Sequence, residues 1–139
     1  MPEETLFSRI AAGEEPSYTV YEDETTYAFL DINPAAPGHT LVISREPYEL
    51  LQEVPPAVGA DLTATIQHLI PSVEAAVDAD GTTVILANGP ASGQEFPHAH
   101  WHIVPEFEGE DSSVGFHSEK ETPDDTAMES IAANIRAQQ

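Results

Sequence analysis

The spacing of apolar residues changes several times along the chain, and each change marks a predicted element. Leu6, Phe7 and Ile10 recur at helical spacing and Gly13 supplies a stop, which predicts a helix over 5–12. Pro16 then introduces a short strand over 18–21. Residues 22–25 are a polar turn, and 27–32 is the partner strand of a hairpin. The stretch 33–38 holds two prolines and a glycine and reads as a loop. His39 to Ser44 is β-branched and apolar, a third strand. Pro56 suits a helix's first turn, and Leu62, Ile66, Leu69, Ile70, Val73 and Val77 form one stripe behind it. Pro71 is expected to kink or split that helix, and the pair Asp80-Gly81 to end it. A fourth strand over 82–87, a loop over 88–93, a fifth strand over 98–104 and a last helix over 124–137 follow. Strands and helices are segregated, so the expected class is α+β with five strands in a mainly antiparallel sheet.

A chain of 139 residues suits one domain, and 40% apolar content excludes a disordered body. No apolar run is long enough to span a bilayer. The acidic start at Met1 to Glu4 does not resemble a secretory signal, so the expected location is cytoplasmic. There is no cysteine, hence no thiolate nucleophile and no disulfide framework. Four Lys+Arg against 25 Asp+Glu give a net charge of -21. The acids are spread along the chain rather than gathered in a tail. That distribution suits a halophilic cytoplasm, where salt screens the repulsion. Long nucleic acid is a poor partner for such a surface.

The segment with most chemistry is His98-Ala99-His100-Trp101-His102. In an extended strand these three histidines share one face, roughly 6–7 Å apart, and Ala99, Trp101 and Ile103 share the other. A surface strand has no structural need for such a row. Two chemistries fit it: nucleophilic attack at phosphorus by a neutral imidazole, or a metal site. The loop ahead of the strand carries Gly89 and Gly93, with Asn88 and Gln94 as further donors for phosphate oxygens. A metal site would gain little from such donors. His68 and His117 are expected on the surface.

His-x-His-x-His followed by two apolar residues resembles the signature of the histidine triad (HIT) family. The likeness extends to Phe7-Ser8-Arg9-Ile10, to Ala28-Phe29-Leu30-Asp31-Ile32, to Pro37-Gly38-His39-Thr40-Leu41 and to Gly93-Gln94-Glu95, in the family's order. The resemblance implies a HIT domain over 1–105, with 106–139 as an acidic extension packed on or flanking it. It points to the nucleoside phosphoramidase and dinucleotide hydrolase branches. In that family the middle histidine, here His100, is the nucleophile. His102 would contact phosphate and leaving group, and His98 would support the nucleophile through a hydrogen bond with His39. A purine nucleotide would lie among Leu6, Phe7, Ile10, Phe29, Leu30 and Ile32. Asp31 would hold the ribose, and Asn88, Gly93 and Gln94 the phosphate. The resemblance also implies a homodimer. No cofactor is expected, and no zinc: some members use an early Cys-x-x-Cys, absent here, and Glu46-Pro47-Tyr48 stands where their third ligand lies. Glu106 follows Pro105 where the family often has arginine. Two other readings share these motifs: a nucleotide-binding module with incidental hydrolysis, and a metal-binding β-protein using the three histidines.

Overall fold

A computed structural model describes residues 3–111 and 122–139. The elements are α1 (Leu6–Ala11), β1 (Thr19–Glu22), β2 (Thr26–Leu30), β3 (Thr40–Ser44), α2 (Pro56–Val77), β4 (Gly81–Leu86), β5 (His100–Glu106) and α3 (Asp125–Gln138). The five strands form one antiparallel sheet in the order β1-β2-β3-β5-β4. The expected α+β class and five-stranded sheet are what the fold shows. His117 lies outside the described residues, whereas His68 is exposed beside Tyr21.

Period two assigns the sheet's faces. Ala28, Leu30, Val42 and Ile103 point to one side, where Leu62, Ile66, Leu69 and Val73 of α2 cover them. Tyr27, Phe29, Leu41 and Ile43 point to the other, where Phe7, Ile10 and Ala11 of α1 pack. His100 pairs with Ile43 and His102 with Leu41, so both imidazoles belong to the α1 face. The large core thus lies behind the site, and the short helix α1 roofs it.

α2 runs as one helix through Pro71, so of the expected kink or split the split does not occur. Pro71 and Gln67 are both exposed, so the Gln67 carbonyl that loses its amide partner faces water and the helix continues. It ends at Asp78, whose left-handed φ of 56° caps it three residues before Gly81 opens β4. Gly38 has φ +89°, and a Cβ there would lie 3.0 Å from Val77 Cγ1, so only glycine fits this approach of the β2–β3 connection to α2.

The C-terminal helix is welded to the same core. Met128, Ala132 and Ile135 are buried with the α2 side chains. Arg136 and Gln139 donate to the Thr19 and Val20 carbonyls of β1, and the Tyr18 hydroxyl donates to Asp125. β5 itself runs through Pro105 to Glu106. Ile135→Ala should therefore cost about 2–5 kcal/mol, as core truncations do. Urea denaturation checks this: a lowered midpoint at unchanged slope is expected, and no shift would make α3 peripheral.

Candidate active site

The histidine run does not behave as one strand. β5 begins at His100, and the ladder stops there for two reasons. The Ala99 amide donates to the Tyr48 carbonyl at 2.7 Å, and the Ser44 carbonyl, next on β3, is taken by the His98 ring at 2.8 Å. His98 has no exposed surface, and its ring packs against Thr5 and Phe7, on the same face as His100 and His102, whose ring centroids are 5.0 Å apart. All three imidazoles share the α1 face, although His98 precedes the strand and does not line the cavity. The expected bond between His98 and His39 is absent. His98 bonds to Thr5 and Ser44, and His39 bonds to His102 instead.

The hydrogen bonds decide where each proton sits. Burial lowers His39 to about 3 and His98 and His102 to about 4, and it lowers His100 as well, so all four rings are neutral at neutral pH. A neutral imidazole has one N–H and one lone pair. His100 Nδ1 lies 2.8 Å from the His98 carbonyl, which can only accept. Nδ1 therefore carries the proton and Nε2 the lone pair. His39 Nδ1 accepts the Ala35 amide at 3.0 Å, so its Nε2 carries the proton and donates to His102 Nδ1 at 2.9 Å. His102 must then hold its proton on Nε2. Two adjacent rings are thus fixed in opposite tautomers, one offering a lone pair and the other an N–H.

The two rings open onto a cavity of about 710 Å³. Its walls include Leu6, Phe7, Ile10, Phe29, Leu30, Asp31 and Ile32, which were singled out in the sequence as the nucleoside slot. Phe7 meets Phe96 at 4.7 Å and the His100 ring at 5.1 Å, so the apolar wall reaches His100. Ile32 and Phe96 are exposed although large and apolar, as expected of a wall awaiting a flat partner. Asp31 stands at the rim. Burial raises its carboxyl pKa, and its Oδ1 accepts the Asn33 amide. Its approach to His39 Nε2 at 3.6 Å is not an ion pair, because His39 is neutral.

The phosphate loop departs from expectation. Asn88 accepts the Leu51 amide and donates to Gln52, while Gln94 accepts the Gly89 amide and donates to the Glu49 and Phe96 carbonyls. Both side chains tie loop to loop through exposed hydrogen bonds. Neither lines the cavity, whereas Gly93 does. Phe96, Glu95, Ser92 and Leu41 line it without having been singled out. Only strand register and loop closure bring them there, and a single sequence shows neither.

Asp31, His39 and His102 place ligand atoms within 4.8 Å of one another. A metal on His39 Nε2 would need the proton moved to Nδ1, against the Ala35 N–H. The set fits a hydrogen-bonded relay better than a cation.

A buried and a half-buried imidazole, both neutral, beside an apolar slot on an antiparallel sheet define a protein of the histidine triad class. The chain belongs to the HIT family: residues 12–109 match the HIT domain. An uncharacterized HIT-like protein of Methanocaldococcus jannaschii is 38% identical, covering 91% of this chain and 97% of its own. The adenylylsulfatase HINT3 of Arabidopsis thaliana is 35% identical over 74% of this chain and 52% of its own length. Among solved structures, a hypothetical histidine triad nucleotide-binding protein from Sulfolobus tokodaii superposes with a TM-score of 0.85 at 33% identity, over 95% of this chain and 89% of that one. No helix among the described residues is long and apolar enough to cross a membrane.

If His39 sets the tautomer of His102, His39→Leu, which removes the donor, should cost about 10–100-fold in kcat, as loss of an orienting partner does elsewhere. Steady-state kinetics beside nucleotide titration check this: binding should persist, and an unchanged kcat would refute the relay.

Proposed function

We propose that the chain is a hydrolase or transferase acting at the α-phosphorus of a purine nucleoside phosphate derivative, through a covalent bond to His100. The observation that carries this is the Nε2 lone pair of His100, held beside the Nε2–H of His102 at the mouth of an apolar cavity. The base occupies the slot between Phe7, Ile10 and Phe29, and Asp31 accepts from the ribose hydroxyls. His100 Nε2 attacks, the N–P bond forms as the bond to the leaving group breaks, and the leaving group keeps the bonding pair. His102 donates its Nε2–H as a hydrogen bond to the phosphate, stabilising the charge that builds there. Water then attacks phosphorus, the pair returns to His100 Nε2, and the water's proton passes to solvent.

The lining also bears on the leaving group. Glu15, Asp31 and Glu95 are its charged members, and no Lys or Arg is among the described lining residues. A polyphosphate leaving group would meet these carboxylates, of which only Glu15 is offset, by Arg9 at 3.9 Å. An amine, which takes a proton from solvent at nitrogen before the P–N bond breaks, meets none of that repulsion. The preferred substrates are therefore nucleoside phosphoramidates rather than dinucleoside polyphosphates, by about tenfold or more for the charges involved. The chain is proposed to work as a homodimer in the cytoplasm.

Turnover of an adenosine phosphoramidate and a dinucleoside polyphosphate, each by wild type and by His100→Asn, tests this reading. Loss of turnover and of covalent labelling in the variant is expected, with nucleotide binding retained, and retained turnover refutes it. Burial lowers His100, and the nucleophile must be neutral, so the acid limb of kcat/KM should fall below histidine's ordinary 6.5. A limb at or above that value would contradict a buried nucleophile.

A further inference from the structure

We infer that Thr5 is a positioning residue for the reaction, joining the nucleoside slot to the nucleophile through one hydroxyl. The inference rests on the proposed function, because it concerns the His100 of that reading.

Thr5 is the N-cap of α1, and its Oγ1 accepts the Ser8 amide at 3.0 Å. The Ser8 hydroxyl returns the favour to the Thr5 amide at 2.9 Å, completing a capping box. That much fixes the start of the helix whose Leu6, Phe7 and Ile10 wall the cavity. The same Oγ1 also lies 2.7 Å from His98 Nδ1, across 93 residues of sequence. The direction of this bond is forced. His98 Nε2 faces the Ser44 carbonyl at 2.8 Å and must carry the proton, so Nδ1 is the lone pair and Thr5 is the donor. His98 has no exposed surface and Thr5 is 9% exposed, so no water replaces either partner.

The consequence lies in the backbone of His98, whose carbonyl accepts His100 Nδ1–H. The chain from helix cap to nucleophile is then continuous: α1, the Thr5 hydroxyl, the His98 ring, the His98 carbonyl and the His100 ring. A base that presses on Phe7 presses on the element that fixes this carbonyl. A cap alone needs only an acceptor, and serine, aspartate or asparagine serves. The His98 link needs a donor as well, and of these four serine and threonine offer both on one oxygen.

That difference makes the test. Thr5→Ser keeps both roles, Thr5→Asp keeps the cap acceptor but has no proton to give, and Ser8→Ala weakens the cap while leaving the His98 link. With an adenosine phosphoramidate as substrate, Thr5→Ser and Ser8→Ala should stay within about twofold of wild type in kcat. Thr5→Asp should lose about 10–100-fold in kcat, the range for an orienting partner, while its affinity for adenosine monophosphate holds. Equal kcat in Thr5→Asp and Thr5→Ser would overturn the inference. So would a loss confined to KM, which a cap alone explains. Should Thr5→Asp not fold, Thr5→Val replaces it and is judged against Ser8→Ala in the same way. If wild type turns nothing over, the proposed function fails, and the linkage is still read from ring 15N shifts. Thr5→Asp must then draw a proton onto His98 Nδ1, and an unaltered His98 ring would overturn the linkage too.

Discussion

One hydrogen bond governs this site: the His98 carbonyl accepting the Nδ1–H of His100. A carbonyl has no proton to give, so the bond leaves Nε2 of a neutral ring no choice but to be the lone pair. The chain must bend to place that carbonyl two residues from the ring it holds. It bends because Ala99 gives its amide to Tyr48 and because the His98 ring plugs the end of the β3 ladder at Ser44. The strand therefore starts one histidine late. The loss of one ladder pair sets the tautomer of His100.

Burial does the rest, against the chain's own charge. A net charge of -21 favours protonated imidazoles, and Glu95 in particular acts on His100 in that direction. Desolvation under Phe7 and Phe96 and against the sheet outweighs it, and all four rings are held below the ordinary histidine range. Had the same histidines stood on an open face of this acidic surface, they would be partly cationic at neutral pH. The apolar slot thus keeps the His100 ring neutral.

Much of this was legible in the sequence. The hairpin, the third strand, the long helix and the sheet class follow from period and turn residues, and the slot residues from their motif. The late start of β5 at His100 was not legible, because alternation in a strand says nothing about where the strand begins. Asn88 and Gln94 look like phosphate donors in a glycine-rich loop, yet the 49–52 segment, distant in sequence, claims their polar atoms. Pro71 looked like a helix breaker, but its missing hydrogen bond falls on the solvent side. Thr5 gave only a helix-start signal, since its partner lies 93 residues away. Except at Pro71, the missing information was a long-range partner, which local pattern does not carry.

The most direct measurement is the tautomeric state of the four rings by long-range 1H–15N correlation at neutral pH. The account predicts that His100 is protonated on Nδ1 and that His39, His98 and His102 are protonated on Nε2, all neutral. A proton on Nε2 of His100, a proton on Nδ1 of His102, or a charged ring in either would contradict it.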